Sequence, residues 1–290
     1  MGGVTPADPE LPIAVFDSGV GGLTVLHECL VSLPHEDFLY LGDTARFPYV
    51  LRSSEDLRRF SFELADLLLD QGAKLLVIAC NSATAAALPA LRDHLEGRVG
   101  VVGVVGPESR LAARVTRSGR VGLLATPATV ESGAYDRALA GAAPWASLTS
   151  VAAPALAPLI QAGDEVDERV VDEVERLCAP LRAAEVDTVI LGCTHYPLVR
   201  PMLQRELGRS VEIVSSGAAI ADQVHRELAA RALDRPEGRR GSYRFLCSGE
   251  PEAFRRLGTR FLQLPLGEVR PVEVAPAAPV DDRLARRAAA

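Results

Sequence analysis

A chain of 290 residues, 48% of them hydrophobic and only 5% aromatic, is long enough for two domains that each bury a core. Its net charge of -7, without a basic stripe or a Lys/Arg tract, argues against nucleic acid and an anionic membrane surface as main partners. No apolar run approaches the ~20 residues of a membrane-spanning helix, and residues 1–10 lack the charged and apolar regions of a signal peptide, so a cytoplasmic location is expected.

In chain order, residues 12–16 read as a strand ending at Asp17-Ser18-Gly19-Val20-Gly21-Gly22, followed by a helix through Leu23, Leu26 and Leu30. The glycine run lacks the Gly-x-Gly-x-x-Gly spacing and the Lys-Ser/Thr ending of a phosphate loop. Residues 38–41 form a second short strand leading into Gly42-Asp43-Thr44-Ala45-Arg46-Phe47-Pro48-Tyr49, where the proline breaks regular structure. Ser53 is the expected N-cap of a helix with Glu55 and Asp56 in its first turn and Leu57, Phe60, Leu64, Leu67 and Leu68 on one face; Gly72 stops it. The third strand, Leu75-Leu76-Val77-Ile78-Ala79, closes on Cys80-Asn81-Ser82, and a helix through residues 85–95 follows.

A second set of alternating elements begins near Val101. Residues 101–105 are expected as a strand before Gly106-Pro107, and residues 120–124 as another ending at Thr126-Pro127-Ala128-Thr129, which places Thr126 where Ser18 lies in the first set. A helix carries Val166, Val170, Val174, Leu177 and Leu181 on one face, with Cys178 beside it. The strand Thr188-Val189-Ile190-Leu191-Gly192 closes on Cys193-Thr194-His195, again with a helix after it, over residues 198–207. Residues 211–214 and 243–246 read as strands of a returning first lobe, and Ser215-Ser216-Gly217 opens a helix. The fold class expected is therefore α/β, with two pseudo-symmetric lobes around mainly parallel central sheets and an active site in the cleft between them. The lobes are placed at residues 11–104 plus 212–275 and at residues 105–211, with residues 276–290 as an Ala/Pro/Arg-rich tail.

The two matching cysteines carry most of the information about function. Short Val/Ile/Leu runs are strands buried on both faces, so Cys80 and Cys193 each stand at the carboxyl end of a buried strand, where open α/β sheets bind ligands. By base rate such a cysteine is a small buried hydrophobe; two of them in duplicated contexts suggest one site built from two halves. The chemistry that uses two similar groups on opposite faces is inversion at a carbon acid: one group removes the α-proton of an amino acid and the other returns it. A thiol, with an ordinary pKa near ~8.5 that a helix N-terminus lowers, suits both roles near neutrality. Asp17 and His195 are placed to orient or accept a proton beside Cys80 and Cys193. Asp17 has the alternative of capping the helix after the glycine turn, and Asp43 that of an Asx-turn in its own loop. Cys29, Cys178 and Cys247 are read as packing residues, and the odd total of five cysteines argues against a disulfide framework.

Asp17-Ser18-Gly19-Val20-Gly21-Gly22-Leu23, Gly42-Asp43-Thr44-Ala45-Arg46-Phe47-Pro48-Tyr49, Ala79-Cys80-Asn81-Ser82-Ala83-Thr84 and Gly192-Cys193-Thr194-His195-Tyr196-Pro197 resemble, in order and spacing, the signature blocks of glutamate racemases. The resemblance runs from Ile13 to about Val274 and includes Gly249-Glu250-Pro251. It implies that Cys80 exchanges the proton with D-glutamate and Cys193 with L-glutamate, assisted by Asp17 and His195, with no cofactor and no metal. It also implies that Ser18, Pro48, Tyr49, Asn81, Ser82, Thr126, Thr129 and Thr194 hold the substrate through hydroxyls, amides and backbone N–H groups. Its partner would be glutamate, its product D-glutamate for peptidoglycan, and its assembly a homodimer. Val50 departs from the family's usual glycine after Pro-Tyr, so either the backbone there avoids positive φ or the loop is reshaped. Gln161 stands where the family is often acidic, Ala153 where a cysteine is frequent, and Ser215 and Ala219 replace the usual Asp and Glu. The rival readings are a zinc hydrolase using Cys80, Cys193 and His195, a non-catalytic amino-acid-binding protein of the same fold, and aspartate racemase.

Overall fold

The computed structural model describes residues 8–163, 167–236 and 238–275. The first elements are β1 (Ile13–Asp17), α1 (Leu23–Ser32), β2 (Phe38–Gly42), α2 (Ser54–Asp70), β3 (Leu75–Ile78), α3 (Asn81–His94), β4 (Gly100–Gly103) and α4 (Val105–Val115). Then come β5 (Arg120–Ala125), α5 (Pro127–Glu131), α6 (Ala134–Ala142), β6 (Ser147–Ala152), α7 (Leu156–Ala162), α8 (Glu168–Ala183), β7 (Thr188–Gly192), α9 (Arg200–Leu207), β8 (Glu212–Val214) and α10 (Ser216–Arg231). The described chain closes with β9 (Tyr243–Cys247), α11 (Pro251–Leu262) and β10 (Val269–Pro271).

Among the described residues every strand pair is parallel, in a six-stranded sheet of order β10-β9-β2-β1-β3-β4 and a four-stranded sheet of order β6-β5-β7-β8. Without β9 and β10 the first sheet reads 2-1-3-4, and the second repeats that permutation four strands on. The duplication read from the cysteine segments is thus a repeated α/β unit. Ser18 follows β1 as Thr126 follows β5, and Cys80 comes two residues after β3 where Cys193 comes directly after β7. Both sheets change winding direction beside their first strand, which opens a crevice at the carboxyl ends. Side chains alternate between faces as the pleat requires: Ile13 and Val15 join a core shared with α1, α8 and β7, while Ala14 and Phe16 pack with α2 and α3.

The structure departs from expectation in three places. Residues 212–214 do not return to the first lobe, because Thr188, Val189 and Ile190 of β7 pair with Glu212, Ile213 and Val214. β7 offers its free edge one short helix earlier in the chain, and successive strands take the nearest such edge. The strand expected over residues 101–105 ends at Gly103, and Gly106 and Pro107 lie inside the first turn of α4. Proline is tolerated there because a first-turn N–H has no intrahelical acceptor to lose. After Cys193 the chain makes a 3-10 turn, Tyr196–Val199, before α9 starts at Arg200, so only Cys80 directly precedes an α-helix. Val166 and the tail 276–290 lie outside the described residues.

Candidate active site

Three strand ends of the first lobe converge on the cleft. The β1 end supplies Asp17, fully buried and receiving the Gly19 N–H at 3.1 Å. Thr194 of the second lobe donates its hydroxyl to the other Asp17 oxygen at 3.3 Å. Burial pushes the Asp17 carboxyl up to about 6, against these donors. The turn that follows is glycine for a steric reason: a Cβ on Gly21 would stand 2.4 Å from Thr194 Oγ1 and 2.5 Å from the His195 ring. The two lobes meet across that residue.

The β2 end supplies the loop 43–50. Asp43, buried, accepts from Arg46 Nε at 2.6 Å, Ser248 Oγ at 2.7 Å and the Tyr49 hydroxyl. Arg46 also pairs with Glu63 of α2 and lies 4.0 Å over the Phe60 ring. Asp43 is therefore the anchor of the loop that presents Pro48 and Tyr49. Val50 sits in a 3-10 turn, Tyr49–Leu51, outside the positive-φ region, which is why a β-branched residue is accommodated where glycine is usual.

Cys80 follows β3 and is the N-cap of α3, its sulfur accepting the Ala83 N–H at 3.5 Å. Burial nonetheless pushes the Cys80 thiol up to about 12, and the Asp17 charge adds to that. Desolvation thus outweighs the helix terminus that was expected to lower it. Two residues on, Ser82 Oγ meets Thr126 Oγ1 at 2.9 Å and Thr129 Oγ1 at 3.1 Å, joining α3 to the capping turn of α5 in the other lobe.

Cys193 directly follows β7, its sulfur 3.9 Å from His195 Nδ1, and burial pushes this thiol up further still. His195 lies between the rings of Phe47 and Phe261, stacked at 5.5 Å on the first and edge-on at 5.1 Å to the second. Its Nε2 bonds Gln161 Oε1 of α7 at 2.9 Å. An amide oxygen accepts, so Nε2 carries the proton and Nδ1 turns its lone pair toward the thiol. Burial lowers the His195 pKa to about 3, which keeps the ring neutral. The Thr24 hydroxyl of α1 holds the Thr194 carbonyl at 3.1 Å.

Both thiols line one pocket, together with Ser18, Pro48, Tyr49 and Val50 from the first lobe. Asn81, Ser82, Thr126, Thr194 and His195 complete it, along with Phe47 and Ala157, which the sequence had not suggested. The space inside is about 20 Å³, room for a water or two and closed to an amino acid until the walls part. Asp17 and Thr129 do not line it; they stand behind, bonded to Thr194 and to Ser82. Among the described residues no three His, Cys, Asp or Glu side chains converge as a metal-binding group, so Cys80, Cys193 and His195 do not make a zinc-ligand set.

A family model described as Asp/Glu/Hydantoin racemase matches residues 25–224. The glutamate racemase of Parafrankia sp. (strain EAN1pec) is 46% identical over 268 residues, covering 92% of this chain and 95% of the relative. The chain belongs to the glutamate racemase family. Among solved glutamate racemases, isoform RacE1 from Bacillus anthracis matches with a TM-score of 0.87 at 36% identity, covering 92% of this chain and 99% of that one. The enzyme from Francisella tularensis, solved in complex with D-glutamate, matches at 0.86 and 28% identity, covering 93% and 100%. Within the glutamate racemase fold, the pocket described here lies where the two repeated units meet.

Proposed function

We propose that this chain interconverts L- and D-glutamate by proton transfer between two thiols, Cys80 serving the D enantiomer and Cys193 the L. The observation that carries the reading is that two buried thiols, at corresponding strand ends of a repeated unit, line the same pocket, each beside its own proton acceptor. A thiolate on one face takes the α-proton and becomes a thiol. The electron pair left on carbon spreads into the α-carboxylate, and the opposite thiol then gives its proton to the other face and becomes the thiolate.

Burial holds both thiols protonated in the closed pocket, so the reaction needs a charge that reverses this. The substrate brings one. Its α-ammonium, placed between the sulfurs, favours the thiolate, while Asp17 or His195 receives the thiol proton. Ser82, Thr126 and Thr194 hydroxyls, with the N–H groups at the start of α3, receive the carboxylates without an arginine clamp. The product, D-glutamate, would serve peptidoglycan assembly in the cytoplasm.

Circular dichroism of enantiopure glutamate with the purified protein tests this: the signal of either enantiomer should decay to zero. Aspartate, one methylene shorter, should react at least ~10-fold more slowly in kcat/KM. Comparable rates for the two would reject glutamate as the preferred substrate and keep the racemase chemistry.

A further inference from the structure

Glu108, in the first turn of α4, is a fully buried carboxylate beside the pocket that the scheme above leaves without a task. Tyr135 of α6 and Ser216 at the start of α10 each donate a hydroxyl to it. Asn81 Nδ2, from the first turn of α3, donates to its Oε2 at 3.1 Å. Donors from three helices thus face one acceptor group, an arrangement that suits a carboxylate. Burial pushes the Glu108 carboxyl up to about 7, with those three donors working against it.

The consequence falls on Asn81. Its amide nitrogen has two N–H bonds, and the second goes to Tyr135 Oη at 2.7 Å. With both spent, the amide cannot turn over, and its oxygen must point away from Glu108. Asn81 lines the pocket, and its Oδ1 is buried without a partner among the described residues. An unpaired buried acceptor is costly, and a ligand that donates to it recovers the loss. Glutamate carries one cationic donor, the α-ammonium; its carboxylates are acceptors that Oδ1 would repel.

We infer that Glu108 is a positioning residue: by holding the Asn81 nitrogen it sets the amide oxygen into the pocket as the acceptor for the substrate α-ammonium. The inference rests on glutamate being the substrate. It adds a function to a residue that touches neither substrate nor thiol. In Glu108→Gln the new amide N–H groups face a site that held only an acceptor, and Asn81, by turning over, offers them its Oδ1. Asn81 then turns and presents N–H groups to the ammonium.

The test compares D-glutamate with glutarate, the same dicarboxylate without an ammonium, by calorimetry on the full chain. Racemisation is thermoneutral, so the heats report binding. Glu108→Gln should weaken D-glutamate by about 10- to 100-fold, the range of a lost hydrogen bond to a charged group, and leave glutarate within about twofold. Asn81→Ala should give a similar pattern, and the double variant should lose no more than Asn81→Ala alone, because the two residues act as one. Equal weakening of both ligands by Glu108→Gln, or additive losses in the double variant, would overturn the inference and leave Glu108 a packing residue. Should Glu108→Gln fail to fold, Asn81→Ala decides: an unchanged preference for glutamate over glutarate overturns it. If the unaltered protein neither binds nor racemises glutamate, the functional reading itself has failed, a result separate from any variant ratio.

Discussion

Cys80 and Cys193 occupy equivalent ends of a repeated unit, yet their surroundings are unlike. Cys80 caps a 14-residue helix and stands beside a buried carboxyl, Asp17, which burial raises to about 6. Cys193 is followed by a 3-10 turn and stands beside a neutral ring, His195, whose pKa is lowered to about 3 and whose tautomer is set by Gln161. Duplication copied the position of the sulfur and not its surroundings, so under the proposed scheme each thiol gives up its proton to a different kind of acceptor. A racemase tolerates this asymmetry, because L- and D-glutamate have equal free energies and kcat/KM must be the same in both directions whatever each face does. The difference between the halves shows only in partial reactions.

The largest effect comes from removing either sulfur. Cys80→Ser and Cys193→Ser should each lower racemisation by about 1000-fold or more, since the hydroxyl's pKa is far above the thiol's. With a glutamate analogue bearing a leaving group at the β-carbon, loss of that group needs only one proton abstraction. Cys80→Ser should keep elimination from the L analogue and Cys193→Ser from the D analogue. Equal loss with both enantiomers in both variants would erase the distinction between the two faces. Next in size, Asp17→Asn should cut elimination from the D analogue by about 100-fold and from the L analogue far less; matching losses would mean that Asp17 serves both thiols.

The pH dependence sharpens the contrast. Elimination from the D analogue should fall as pH drops below about 6, when Asp17 already holds a proton and cannot take one. Elimination from the L analogue should stay level to about pH 4, because His195 remains neutral until about 3. Gln161→Glu, which sets a carboxylate on Nε2, should raise the His195 pKa and move that acid limb upward by about one unit or more. An L-analogue profile unmoved by this change would show that His195 is not the proton acceptor for Cys193.

The smallest effect is on stability. The folded-state pKa of Asp17 is raised, so its contribution is present in full below the ordinary 3.8 and is lost as pH rises through about 6. At pH 8 the buried, ionised Asp17 costs stability. Asp17→Asn should therefore stabilise the fold at pH 8 by about 1 to 3 kcal/mol and have much less effect at pH 4, as read from denaturant midpoints. The opposite order would contradict the burial of this group.

Strong local signals made much of this molecule legible before its structure. The apolar runs before Cys80 and Cys193, the Ser53 cap and the glycine turn after β1 all stand where expected, because each depends on neighbours a few residues away. The strand β6 gave no signal: Ser147–Ala152 is a partly exposed edge strand, half polar, and neither alternates nor forms an apolar run. The start of α4 was hidden by Gly106-Pro107, a pair that reads as a turn when the following helix is not in view. Asp43 stayed ambiguous because its roles depend on Tyr49 and Ser248 folding against it. Glu108 was invisible for a stronger reason. Its meaning lies in residues 81, 135 and 216, and no pattern in the sequence joins them.

Gly21 has a consequence for how this protein handles water. A methyl group there would meet the Thr194 hydroxyl and the His195 ring well inside contact distance, on the opposite lobe. Gly21→Ala would not remove any group that touches glutamate, but it would work as a spacer that props the halves ajar. Solvent would then reach the carbon while it is stripped of its proton. In heavy water such a protein would fill the α-position with deuterium from the bulk on the same face it emptied, returning unreacted enantiomer labelled. Under the two-thiol scheme, a single hydrogen in place of a side chain lets the halves close, so that the face that loses its proton is not refilled from bulk water.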